Sequence, residues 1–378
     1  MKKNQILINY GDSGSKMVKE LLKQSKIEKE LNKDDLIALK PNLINATESE
    51  KGATTDPEIV KGVIEYLLAR DFNNLMIIEG SWVGAETETA FEVCGYQKLA
   101  RDYDIPLYNL KEDNFIKKSY QGLEIEIAEK ALKADYLINF PVLKGHCQTK
   151  ITCALKNLKG CISDREKRKF HRQGLHQPIA YLNKLLKQDL IIIDGIYGDL
   201  DFEEGGNPVK MNRIIAAEDP VLADSYAAEL LGYSTAEVEY IEIADQIGVG
   251  NKNLAEAEII ELNEERGSEI SYSSRKITKL AKKIDSKNAC SACYGSLIHA
   301  LKRIEEKGKL SQIKDEIKIG QAYQGKKIDG VGIGNCCRGA DDFVEGCPPS
   351  AREIVYILSY VSCYSEIFYY NQVRYKKI

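Results

Sequence analysis

The chain has 378 residues, long for a single hydrophobic core, so two or three domains are the expectation. An apolar content of 43% beside 29% charged residues suits a chain that buries real cores. The formal net charge of −4 argues against nonspecific nucleic-acid binding by bulk charge. The start, "MKKNQILINYGDSG", lacks the apolar run of a signal peptide, and no later run approaches the length of a membrane span. A cytoplasmic location, with neither nucleic acid nor membrane as partner, is therefore expected.

In chain order, "QILINY" reads as a strand and "SGSKMVKELLKQSKI" as a capped helix. "DLIALKPN" is a second strand, halted by Pro41. "TTDPEIVKGVIEYLLAR" opens with cap residues, places Pro57 in the first turn and repeats apolar residues at helical spacing. "NLMIIEGS" is a third strand, and "DYLINFPVLKG" a fourth. This alternation predicts an α/β fold, a doubly wound and mostly parallel sheet or sheets. Ligands of such sheets sit beyond the C-terminal strand ends, which read Lys40-Pro41-Asn42, Glu79-Gly80-Ser81 and Pro141 to Lys144.

A further α/β stretch follows, with "QPIAYLNKLLK" an amphipathic helix and "QDLIIIDGIYGD" a buried strand ending at Asp194-Gly195. "EEGGNP" reads as a turn, and "MNRIIAAEDPVLADSYAAELLGY" as a strand and a helix. From about residue 250 charge dominates and apolar periodicity weakens. The expected organisation is an α/β domain over 1–250, with 1–142 and 143–250 as candidate subdomains. A charged connecting segment then spans 251–287, and a smaller cysteine-rich α/β domain 288–378.

Ten cysteines in a reducing compartment point to buried thiols or metal ligands before disulfides. Cys290 and Cys293 stand two residues apart just ahead of a helical pattern. Cys336, Cys337 and Cys347 lie on a Gly-rich run that ends in Cys-Pro-Pro. Four thiolates, Cys290, Cys293, Cys336 and Cys347, suit an iron–sulfur cluster of the [4Fe–4S] type, with Cys337 as the spare. Structural zinc is the alternative, because four thiolates hold either. The wide second spacing favours the cluster over a zinc ribbon.

Between Leu143 and Arg172 nine basic residues face only two acidic ones, on a chain that is acidic overall. "LKGHCQTKITCALKNLKGC" is a poor metal site, since six- and eight-residue cysteine spacings do not share a helix face. Its "TKITCALKNLKG" portion reads as a helix with a core-facing stripe. Lysines at a strand end beside helix N-terminal amides make an anion cradle, which His171 and His176 would extend if their loop folds back.

"LKPNL", "NFPVLKGHCQTKITCALKNLKGC", "HRQGLHQPI", "IIIDGI" and "AAEDPVLADSYAAELLGY" together resemble, in order and spacing, the domain of unknown function 362 family, over about residues 35–250. The resemblance implies an α/β fold and a link to iron–sulfur proteins, with no agreed reaction. "CSACYGSLIHAL", "GIGNC" and "EGCPP" resemble the cysteine-rich extension that some members carry. Members with an inserted run of closely spaced cysteines differ from this chain.

Two functions of different classes follow. In the first, an iron–sulfur-dependent oxidoreductase binds a small anionic substrate in the α/β cleft. Lys144, His146 and His171 are its catalytic candidates, and Lys40, Asn42, Ser81, Lys156, Asn157 and Asp194 its substrate-binding ones. In the second, the chain is an electron carrier or cluster-assembly protein whose basic loop docks a redox partner protein. Polar groups at successive strand ends favour the enzyme. The faint "YGDSGS" does not make a dinucleotide fingerprint.

Overall fold

A computed structural model describes residues 1–205, 207–266 and 276–364. The chain divides into two compact units, Met1–Ser274 and Arg275–Ile378.

The strands of the first unit are Gln5–Tyr10 (β1), Ile37–Pro41 (β2), Leu75–Glu79 (β3), Leu107–Asn109 (β4), Phe115–Tyr120 (β5) and Leu123–Ala128 (β6). Tyr136–Phe140 (β7), Val142–His146 (β8), Lys150–Thr152 (β9), Leu190–Asp199 (β10), Pro208–Ala217 (β11) and Glu258–Glu261 (β12) follow. The main sheet runs β12-β1-β11-β10-β7-β2-β3-β4, with β8 alongside β10 and β9 alongside β8; β5 and β6 form a separate hairpin. From β10 to β4 every neighbouring pair is parallel, and β11 alone runs against both of its neighbours.

Every residue of β2, β3 and β7 is buried, as a parallel sheet covered on both faces requires. Side chains alternate strictly. Ala38, Met76, Ile78, Leu137, Ile191 and Ile193 join one core; Ile37, Leu39, Leu75, Ile77, Ile138 and Ile192 join the other. Helices Gly14–Ser25 and Pro57–Leu68 cover the second face through Met17, Val18, Ile59 and Val60. Helices His176–Leu185, Pro220–Leu230 and Glu239–Gln246 cover the first through Ile179, Leu182, Val221 and Ile241. The fold is α/β and doubly wound.

Three expectations change. Residues 1–250 show no division at 142, because β1 and β11, far apart in sequence, are hydrogen-bonded neighbours in the main sheet. The charged stretch 251–287 is no plain connector: β12 joins the sheet edge beside β1, and Ile284–Ser286 (β13) belongs to the second unit. The helix read over "TKITCALKNLKG" is shorter, because β9 occupies its start and the helix Ala154–Asn157 passes into a 3₁₀ turn, Leu158–Cys161.

In the second unit β13 is followed by Ile317–Ile319 (β14), Ile328–Ile333 (β15) and Ala340–Val344 (β16), all parallel in that order. Helices Ser291–Glu306 and Ala351–Tyr364 accompany this sheet. Leu297, Ile298, Leu301, Ile317, Ile319, Ile333 and Ile354 are buried in its interior.

Candidate functional site

The chain leaves β2 toward β3 on one side and leaves β7 toward β10 on the other, through helices on opposite faces of the sheet. Adjacent parallel strands whose connections diverge in this way open a crevice beyond their carboxyl ends. The segments that reach this place are the end of β2, the start of β8 and the turn Ala154–Cys161.

Lys144 lies in β8, which is held between β10 and β9, and the residue is fully buried. Its Nζ donates to Asn42 Oδ1 (2.7 Å) and to the carbonyl of Ala53 (2.6 Å), both neutral acceptors. Burial, the dominant influence, pulls its pKa down to about 8. Asn42 Nδ2 in turn donates to Asn157 Oδ1 (2.6 Å), and Asn157 Nδ2 donates to Asn139 Oδ1 (2.7 Å). Asn139 continues to Gln188 (2.5 Å), and Gln188 to Asn183 (2.7 Å). Asn42 and Asn157, expected as substrate ligands, are thus links in a buried amide ladder that fixes the helix Ala154–Asn157 across the strand ends.

A carboxylate absent from the expected set organises the neighbouring cations. Glu203 takes Lys156 Nζ on Oε1 and His146 Nε2 (3.2 Å) on Oε2. His146 Nδ1 accepts the backbone N–H groups of Gln148 (3.1 Å) and Thr149 (3.0 Å), so its ring proton belongs on Nε2, facing Glu203. Burial and then Lys156 push the pKa of His146 down to about 4, and the ring is neutral at pH 7. Burial pushes the pKa of Glu203 up, but Lys156, then His146 and Lys159, hold its carboxyl well below the ordinary value.

Lys159, on the 3₁₀ turn, meets His171 of the helix Asp164–Gln173, with Nζ and Nε2 3.3 Å apart. Burial, then Lys156, lowers Lys159 to about 7, while Lys159 and then burial lower His171 to about 2. The structure therefore brings Lys144, His146, Lys156 and His171 into one electrostatic neighbourhood and adds Lys159 and Glu203. His176 lies elsewhere, stacked on Tyr240.

Lys40, Ser81 and Asp194 are engaged in structure. Lys40 Nζ sits 2.8 Å from Glu79 Oε2 in a pair buried on both sides and also donates to the carbonyl of Pro41. Ser81 Oγ donates to the carbonyl of Leu43 (2.6 Å). Asp194 is no strand terminus: β10 runs on through a bulge to Asp199. Its carboxylate accepts the backbone N–H groups of Asp56 (2.8 Å) and Ile196 (3.0 Å).

Burial and the neighbouring Asp56 raise Asp194 from its ordinary 3.8 to about 7. The folded state then holds more protons than the unfolded one between those values, so stability falls as pH rises through that window. In Asp194→Asn this contribution should vanish, leaving a flatter denaturation midpoint between pH 4 and pH 7 in urea titrations. An unchanged slope would show that Asp194 is ionised throughout.

In the second unit the cysteines gather at one edge. Cys290 follows β13 as the N-cap of the helix Ser291–Glu306, and Cys293 sits in that helix's first turn. Cys336 follows β15 and Cys347 follows β16, so all four leave the carboxyl ends of parallel strands. The two loops are tied together by Asn335 N–H to the carbonyl of Gly346 (2.9 Å) and Gly346 N–H to Asn335 Oδ1 (3.0 Å). Gly334, at φ +83°, lies against them; a Cβ there would stand 3.4 Å from Cys293 Sγ. A hydrogen bond to Cys290 and then burial raise the Cys293 thiol, with Cys347 and Cys336 adding to it. Cys337 is fully buried, its thiol 3.5 Å from the carbonyl of Lys318. Among the described residues no three His, Cys, Asp or Glu side chains form a group that could hold a metal ion as they stand.

A family model described as Domain of unknown function (DUF362) matches residues 37–229, half of the chain. The chain belongs to this family. The match covers β2 to the helix Pro220–Leu230 and so includes every residue of the cation cluster. Over 226 residues the chain is 25% identical to the thylakoid-associated protein sll1697 of Synechocystis sp. (strain ATCC 27184 / PCC 6803 / Kazusa), spanning 57% of this chain and 68% of that protein. Among solved structures, the lactate racemase apoprotein from Thermoanaerobacterium thermosaccharolyticum aligns with a TM-score of 0.39 and 15% identity. That alignment covers 56% of this chain and about half, 54%, of the other. Among the described residues no helix is long and apolar enough to cross a membrane.

Glu203 and Lys159 were the residues that sequence reasoning passed over. Glu203 stands in "EEGGNP", where turn chemistry hides it, and Lys159 was one more charge in a basic run. The only available signal was that a run of lysines beginning at a buried strand end must find counter-charges somewhere.

Proposed function

We propose that this DUF362 protein is an iron–sulfur enzyme that binds a small anionic substrate at the cluster of Lys144, His146, Lys156, Lys159 and His171. The observation that carries this reading is the state of Lys144 and Lys159, a fully buried and a half-buried amine at the switch point of the sheet whose hydrogen-bond partners are neutral. A buried cation without a counter-charge is costly, and its lowered pKa expresses that cost. A carboxylate or phosphate delivered into the cluster supplies the missing charge and raises both pKa values again. His146, held by two backbone N–H groups on one side and Glu203 on the other, is fixed in orientation and neutral, and can pass a proton at Nε2.

Cys290, Cys293, Cys336 and Cys347 are the residues that would hold the cluster. Their fit rests on the shared edge, the helix N-terminus under Cys290 and Cys293, and the tied loops that carry Cys336 and Cys347. A [4Fe–4S] cluster bound there would supply or accept single electrons.

Isothermal titration with inorganic phosphate and with oxalate tests the anion reading. Lys144→Ala should weaken binding about tenfold or more, the range for losing a charge-assisted hydrogen bond. Lys169→Ala should change it little, because Lys169 reaches the surface, where it pairs with Glu166 and the carbonyl of Glu124. Equal losses in folded samples of both variants would reduce the patch to a diffuse field and remove the site.

A further inference from the structure

Lys159 differs from the other lysines of the cluster. Lys156 is committed to Glu203, and Lys144 is fully buried against Asn42 and Ala53. Lys159 is only half-buried, and the partner of its amine is an imidazole nitrogen at 3.3 Å. When the amine is protonated, that nitrogen must be the acceptor, since an ammonium has no lone pair. The imidazole thus orients a half-buried amine, and a second cation, Lys156, favours loss of its proton. A desolvated lysine beside another cation is the known recipe for a nucleophilic amine.

We infer that Lys159 is a carbonyl-reactive amine that forms an imine with a 2-oxo acid, with His171 as the residue that positions it. The inference deepens the anion-binding reading and rests on it, because the carboxylate of the 2-oxo acid is the anion that the cluster lacks. The amine lone pair attacks the carbonyl carbon while the C=O π pair moves onto oxygen, forming the C–N bond of a carbinolamine. Both amine protons end on the departing oxygen. One water leaves, and a C=N bond to Lys159 remains. Burial and Lys156, which lower the pKa of Lys159 to about 7, agree with an amine that is substantially neutral at physiological pH.

The test is reductive trapping of the purified full chain with glyoxylate or pyruvate and cyanoborohydride, followed by peptide mapping. Lys2 and Lys187, 71% and 84% exposed, are the internal controls. The expected result is an adduct on Lys159 at roughly tenfold higher occupancy than on either control, the advantage of an amine that is largely unprotonated. Lys159→Arg should lose the adduct while keeping its circular dichroism. His171→Asn should slow adduct formation yet leave Lys159 the labelled residue. Labelling no stronger at Lys159 than at Lys2 and Lys187 overturns the inference, and needs no variant to fold. Phosphate titration of the same samples separates the two claims. Phosphate binding without trapping overturns the imine and leaves the anion site standing. Trapping at Lys159 without phosphate binding upholds the reactive amine and sinks the anion reading.

Discussion

Protein purified without oxygen should carry about four iron and four sulfide per chain, the content of one [4Fe–4S] cluster. Cys293→Ala and Cys347→Ala should each lose most of that iron, together with the visible absorption of the cluster. The basis is the common edge: Cys347 lies on one of the two loops tied by the Asn335–Gly346 hydrogen bonds, and Gly334 of the other loop lies against Cys293 Sγ. Cys337→Ser should keep the iron, because the Cys337 thiol is buried against the carbonyl of Lys318. About one zinc in place of iron would assign the four thiolates to a structural Cys₄ site and end the redox reading. Iron retained in both alanine variants would mean that the metal binds elsewhere.

The largest stability effect is expected at Lys40 and Glu79. Both side chains are buried, at 0% and 3% exposure, so neither charge has water to fall back on if its partner is removed. Lys40→Met should lower unfolding free energy by about 3–5 kcal/mol, the range for orphaning a buried charge. That is a large share of a net stability of roughly 5–15 kcal/mol. Adding Glu79→Gln should recover part of the loss, since the amide removes the orphaned charge and keeps one oxygen for one of the two backbone N–H groups, Gly80 on Oε1 or Leu43 on Oε2. Urea denaturation of the wild type and the three variants closes a double-mutant cycle. A Lys40→Met protein as stable as the wild type would return Lys40 to the list of substrate ligands. The turn bearing Lys159 rests on this pair, because a Cβ on Gly160 would meet Glu79 Oε1 at 2.1 Å and Lys40 Nζ at 2.8 Å. Losing the pair should therefore also disturb the placement of Lys159.

The sequence by itself determined the elements and their two-sided burial. Largely apolar runs such as "IALKP" and "LMIIE" read as buried strands, and Asp56-Pro57 and Asp219-Pro220 as helix starts. These signals are local, set by side-chain periodicity and by capping chemistry within a few residues. The Cys290–Cys293 spacing and the Gly-rich loop belong to the same class.

Which charges remain for chemistry was decided by tertiary structure alone. Lys40 and Lys144 look alike in sequence, each near the end of an apolar strand. Parallel pairing of β2 with β3 sets Lys40 beside a carboxylate 39 residues away, while Lys144 meets an amide and a carbonyl. Glu203 reaches Lys156 across 47 residues through a turn whose composition shows only that it bends. Lys159 meets His171 because a 3₁₀ turn and the following helix fold back on each other. The energy of a buried ion depends on whether a counter-ion lies within a few ångströms, and that distance is fixed by strand order and register across the sheet. Neither quantity is carried by any short window of the chain.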